Sequence, residues 1–85
     1  MLLKKGFWVR KRWDGGAVHL IHLTQILEID DFSEAIWDRL DGTAAVPKIA
    51  GELARRFHAM DPIAVEALVA HNVLLFESLG FLATS

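Results

Sequence analysis

Apolar and polar positions change period about a third of the way along the chain. From Phe7 to Trp13 they alternate with a period close to two: Phe7, Val9, Lys11 and Trp13 share one pleat face, and Trp8, Arg10 and Arg12 the other. This predicts a first strand. Asp14-Gly15-Gly16 supplies the positive backbone angles of a tight hairpin, and Ala17 to Leu23 is rich in residues that suit a second strand. After a short polar break at Thr24-Gln25, Ile26-Leu27-Glu28-Ile29 reads as a third, with Leu27 and Ile29 on one face and Ile26 and Glu28 on the other.

Beyond Asp30 the period becomes helical. Asp30 and Asp31 are both good N-cap residues, and Asp31-Phe32-Ser33-Glu34 has capping-box spacing with Asp in the cap position. A first helix is expected over 31–41, with Phe32, Ala35, Ile36, Arg39 and Leu40 along one side and Gly42 ending it. Val46, Ile49, Ala50, Leu53, Ala54 and Phe57 recur at three and four, and Pro47 is tolerated in the first turn, so a second helix is expected over 46–58. Asp61-Pro62 opens a third in cap-then-proline order. Its inward stripe is Val65, Val69, Val73 and Phe76; it runs to Leu79, Gly80 stops it, and Phe81-Leu82 returns to the core. There is no repeat, low-complexity stretch or internal linker. The expectation is a single α+β domain over 1–85, winged-helix-like, with a three-stranded antiparallel sheet followed by three helices.

Composition narrows the function classes. The chain has 85 residues, 53% of them hydrophobic, so it suits one small globular domain rather than a disordered chain. With no cysteine, disulfides, thiolate metal sites and a Cys nucleophile are excluded. Apolar runs are short, and Lys4-Lys5 follows rather than precedes Leu2-Leu3, so a soluble cytoplasmic protein with no membrane partner is expected.

Catalytic chemistry finds little support. His19 and His22 are three apart on a strand and point to opposite faces, while His58 and His71 lie on different helices without a metal-ligand pattern. The acidic residues Asp30, Asp31, Glu34, Asp38 and Asp41 are accounted for as helix-terminal and solvated groups. Ser33, Ser78 and Ser85 occupy no nucleophile elbow, and no glycine-rich loop could cradle a phosphate. No catalytic residue, cofactor or metal is expected. Lys4-Lys5 and Arg10-Lys11-Arg12, interleaved with Phe7, Trp8 and Trp13, suggest nucleic acid, but the net charge is -2 and the third helix contains no Lys or Arg.

The third helix carries more apolar surface than one core face requires. A second stripe of Leu68, His71, Asn72, Leu75 and Leu79 adjoins the inward one. Either the helix is central and buried on two sides, or the second stripe walls a groove for a ligand.

Ile26-Leu27-Glu28-Ile29-Asp30, Ala35-Ile36-Trp37, Leu40-Asp41-Gly42-Thr43, then Val46, Ile49-Ala50 and Leu53-Ala54 together resemble the PqqD family of peptide chaperones, also called RiPP recognition elements. Val69, Val73, Phe76 and Gly80-Phe81-Leu82 are similar to the family's last helix and closing segment, and the resemblance extends over about residues 7–82. It departs from the pattern at Asp30 (usually Asn), Ala45 (usually Thr), Leu68 (usually acidic) and Asn72 (usually aromatic or aliphatic). The last two alter what a bound peptide would touch.

The resemblance implies a non-catalytic subunit that captures the leader segment of a ribosomally made precursor peptide and delivers it to a modifying enzyme, often a radical SAM enzyme. The leader would add as a strand along Gln25, Ile26, Leu27, Glu28 and Ile29, with Leu68, His71, Asn72 and Leu75 along the groove. Such a chaperone would be a monomer or weak homodimer. The alternatives are a winged-helix DNA-binding or regulatory module, and a homodimer that buries the third helix's second stripe.

Overall fold

In the computed structural model, which describes residues 2–83, the chain runs through β1 (Lys4–Lys5), β2 (Arg10–Asp14), β3 (Ala17–His22), β4 (Gln25–Ile29), α1 (Asp31–Asp38), α2 (Val46–Arg56), α3 (Pro62–Ser78) and β5 (Leu82–Ala83). The β2-β3 turn follows from its sequence: Gly15 and Gly16 adopt φ of 60° and 85°, the two consecutive positive angles that a tight hairpin matching strand twist requires. β2, β3 and β4 form a three-stranded antiparallel sheet in that order, and β1 pairs with β5 in a separate two-stranded one. The architecture is α+β, as expected, with the β1-β5 pair added.

That pair is invisible to periodicity because each strand is two residues long. The segment around it is held by long-range backbone bonds: Leu3 N to Ala44 O, Lys5 N to Leu40 O and Gly42 N to Leu3 O, at 2.8–3.0 Å. The N-terminal segment is thus threaded between the α1-α2 connection and β5, with Leu3 in the core.

The expected boundaries shift for local reasons. The first sheet strand starts at Arg10 rather than Phe7, because β3 ends at His22 and Arg10↔Ile21 is the last pair. Upstream, Val9 N closes a turn on Gly6 O and the Trp8 indole donates to Gly80 O. Leu23 leaves the strand and, with Thr24, makes the β3-β4 turn, so Gln25 belongs to β4 rather than to a break before it. α1 is capped by Asp30 rather than Asp31: the Asp30 carboxylate accepts from Ser33 N at 2.8 Å. The helix ends at Asp38 rather than 41, where Arg39 and Leu40 switch to bonds three residues back. α2 stops at Arg56 rather than 58, as Phe57 leaves helical geometry.

α3 ends at Ser78 rather than Leu79, which becomes its C-cap, and Gly80 stops it as read. Gly80 takes φ 74°, with Phe81 N bonding Phe76 O and Gly80 N bonding Glu77 O, the paired bonds of a Schellman motif. Phe81 is thereby turned into the core, where its ring and that of Phe76 meet Trp37 edge-on at 6.4 and 5.2 Å. Val65, Val69, Val73 and Phe76 are the buried side of α3, and Ile49, Ala50 and Leu53 that of α2. Leu20 and Ile29 join them from the sheet, so the three helices and the inner sheet face share one core. Each fully buried large side chain contributes about 1.5–3 kcal/mol.

Candidate functional site

The sheet leaves two edges open, and their chemistry follows from register. In a two-residue hairpin the pair flanking the turn exchanges both backbone bonds, and the alternation continues from there. His22↔Gln25 flanks the Leu23-Thr24 turn, so Gln25, Leu27 and Ile29 bond to β3. The backbone N–H and C=O groups of Ile26 and Glu28 are left pointing at the open edge of β4. The first hairpin agrees: Asp14↔Ala17 directs Ala17, His19 and Ile21 to β2, leaving Val18, Leu20 and His22 for β4.

α3 runs beside that edge in the opposite direction. At one end Leu79 and Gly80 line a depression of about 370 Å³ with His22, Leu23, Thr24 and Gln25. At the other, Asn72 is tied to Ser33 in the first turn of α1, just beyond Ile29. Gln25 to Ile29 spans about 13 Å of strand, and Leu79 back to Asn72 about 10 Å of helix. Leu75, half-buried, lies midway along the helix wall, and Leu27, half-buried on the inward pleat face, midway along the strand. The second stripe of α3 is therefore neither wholly core nor wholly solvent-facing.

The anticipated residues divide by position. Gln25 to Ile29 form the open edge, with Leu27 and Ile29 facing inward and Ile26 and Glu28 outward. Leu75 and Asn72 flank the cleft, but the Asn72 amide is engaged within the fold at both ends: Oδ1 accepts from Ser33 Oγ and Nδ2 donates to Leu68 O, each at 2.8 Å. Leu68 sits one turn past Asn72, beyond the end of β4, and is 39% exposed. His71 is exposed on the outer rim of α3.

Leu23, Leu79 and Gly80 join this region without having been singled out as site residues. Leu79 was legible as part of the second stripe; Leu23 was not, since it reads as strand. Leu23 is 84% exposed at φ 55°, an angle that costs a side-chain-bearing residue about 1–2 kcal/mol.

Charge lies away from the cleft wall. Lys11 Nζ bonds Glu34 Oε2 and Asp38 Oδ1, both at 2.9 Å, and these hydrogen bonds, Asp38 first, hold its pKa above the ordinary lysine value. Glu34 and Asp38 therefore clamp β2 to α1 rather than serving only as cap and solvated face. His19 and Glu28 approach at 3.6 Å on the outer sheet face. Among the described residues no group of three or more His, Asp or Glu is placed to hold a metal ion, and no helix is long and apolar enough to cross a membrane.

No protein-family model matches the chain, and no curated protein matches it in sequence. Its fold is shared with solved structures. TbiB1, determined in complex with the TbiA(beta) leader peptide, superposes with a TM-score of 0.77 at 18% identity, over 96% of each chain. The PqqD truncation of Methylobacterium extorquens PqqCD, a functional and stand-alone RiPP recognition element, gives 0.73 at 23% identity, over 96% of this chain and 88% of that one. The order and packing of strands and helices here is the fold of those two proteins.

Proposed function

We propose that this chain is a non-catalytic peptide chaperone that binds the leader segment of a ribosomally synthesised precursor peptide by strand addition to β4. It then presents the attached core segment to a modifying enzyme, in this reading a radical SAM enzyme. The observation that carries the proposal is the open edge of β4 lying along an apolar wall of α3, in the fold of a protein solved with a leader peptide. A peptide added as a fourth strand beside β4 would satisfy the outward backbone groups of Ile26 and Glu28, and its alternate side chains would drop between Leu27 and the Leu75-Leu79 wall.

The magnitudes suit a carrier that must also release. Roughly four backbone hydrogen bonds at about 1 kcal/mol each, and two apolar side chains at about 1.5–3 kcal/mol each, are offset by the cost of ordering a disordered peptide. From a gross sum of about 7–10 kcal/mol, an ordering cost of roughly 2–5 kcal/mol leaves at most about 8 kcal/mol, so binding is micromolar or weaker. DNA recognition by α3 is not favoured, because that helix carries no Lys or Arg along its whole length.

The test is a fluorescence-polarisation titration with labelled leader peptides encoded beside this gene, at low and high salt. Saturable binding to one leader with little salt dependence is expected. Absence of binding to every leader, or steeply salt-dependent binding to duplex DNA, would overturn the reading.

A further inference from the structure

The outer face of the sheet has a composition that the leader site does not use. Two cross-strand rows lie on it, Arg10–Ile21–Ile26 and Arg12–His19–Glu28. Their neighbours Lys11, Leu20 and Leu27 point to the helices, so no helix covers these rows. Arg10, Lys11, Arg12 and Ile21 border a depression of about 400 Å³. Ile26 is 66% exposed, and at the same end of the sheet Phe7 is 94% exposed, its ring edge-on to a Trp8 that is anchored to Gly80.

Lys11 engages Glu34 and Asp38, and Arg39 engages Glu52; of the remaining Lys and Arg residues, Arg10 and Arg12 are the two that share one uncovered sheet face with exposed apolar side chains. Among the described residues Arg10 and Arg12 engage no carboxylate, although the chain as a whole is acidic, with a net charge of -2. Unpaired guanidinium groups beside exposed aliphatic and aromatic side chains form the kind of surface that protein interfaces favour, since both desolvate readily and Arg forks onto carboxylates. A polyanion would favour a continuous basic track, whereas here Ile21 and Ile26 separate the arginines from the β4 edge and Glu28 sits beyond His19.

We propose that this outer face is the docking surface for the modifying enzyme, taking a protein surface with an apolar centre and carboxylates at its rim. The inference rests on the leader-recognition reading for the identity of the partner. It also meets a requirement of delivery: the peptide lies along β4 while the enzyme is held on the β2 side of the outer face, so both can be bound at once. Arg10 and Arg12 supply the charge complementarity, and Phe7 and Ile21 the apolar contact.

The experiment is isothermal titration of the modifying enzyme encoded beside this gene into the wild-type chain and into the Arg10→Glu/Arg12→Glu double variant, with and without saturating leader. Leader affinity is measured separately by polarisation, and folding by circular dichroism. The wild type is expected to bind enzyme in both conditions, more weakly as salt rises. Charge reversal is expected to weaken enzyme binding by roughly 30-fold or more, with leader affinity changed less than about twofold. Arg10→Gln/Arg12→Gln should fall between, which guards against a folding defect.

Enzyme binding that is absent in the wild type, or unchanged in the charge-reversed variant, would overturn the proposal. So would a parallel loss of leader and enzyme binding, Arg-dependent binding of a short single-stranded DNA in place of the enzyme, or Arg-dependent self-association in sedimentation. Charge-sensitive enzyme binding by a chain that binds no leader would support the docking surface while removing the leader-recognition reading.

Discussion

The Ser33 hydroxyl donates a 2.8 Å hydrogen bond to Asn72 Oδ1, tying the first turn of α1 to the middle of α3. With Asn72 Nδ2 on the Leu68 carbonyl, this amide fixes the separation of the two helices at one end of the cleft beside β4. Ser33→Ala and Asn72→Ala are each expected to lower stability by about 1 kcal/mol in urea unfolding. The double variant should lose little more than Asn72→Ala alone, since Ser33→Ala removes only a bond that Asn72→Ala already removes.

The register of β4 makes a positional prediction about proline. At Glu28 it removes an N–H that points to the open edge, so the fold should survive while leader affinity falls at least about tenfold. At Leu27 it removes an N–H bonded to β3 and should destabilise the sheet by about 3 kcal/mol or more. Thermal melts and polarisation titrations on the two variants separate these effects; equal behaviour would mean the hydrogen-bond alternation is wrong.

On the helix wall, Leu75→Asp should abolish measurable leader binding with the circular dichroism spectrum retained. A buried carboxylate facing an apolar peptide side chain opposes binding by several kcal/mol. Leu68→Asp, one turn beyond the strand, should change leader affinity by less than about 1 kcal/mol. A stronger effect at Leu68 than at Leu75 would place the peptide along a different path.

Leu23 carries backbone strain on an exposed turn. Leu23→Asn, a residue that tolerates positive φ, is expected to stabilise the protein by about 0.5–1 kcal/mol. For a domain of this size that is a rise in Tm of roughly 3–8 °C. If the Leu23 side chain also contacts the leader at the depression it lines, the same variant will bind leader more weakly, so stability and affinity will move in opposite directions.

Lys11 links β2 to α1 through Glu34 and Asp38. Because its pKa is raised in the folded state, its contribution is fully present below the unfolded value and is lost as pH rises through the folded one. Lys11→Met should therefore cost up to about 1 kcal/mol at neutral pH, the value being modest because the pair is partly solvated. The difference from wild type should stay level through the neutral range and narrow only above pH ~10. A difference that vanishes between pH 7 and 9 would show that the lysine charge is not its source.

The amino-acid sequence by itself determined the elements whose cause is local. Hairpin glycines, the Asp61-Pro62 helix start, the Gly80 stop and the Val65-Val69-Val73-Phe76 stripe are set by backbone angles, caps and periodicity within a few residues, and each falls where it reads. The surplus stripe on α3 was equally legible, although its role was not, because burial on a second side depends on what stands opposite. Tertiary structure decided the rest. Two-residue strands such as Lys4–Lys5 and Leu82–Ala83 carry no periodic signal and exist only because distant backbone groups meet. Asn72, read as groove lining, is drawn into a helix-helix bond by a Ser33 thirty-nine residues away. Which β4 backbone groups remain free is set by pairing with β3, and whether Leu23 is strand or strained turn by where that pairing stops. Local chemistry specifies segments; the open edge and its wall arise only when separate segments are packed at a fixed distance.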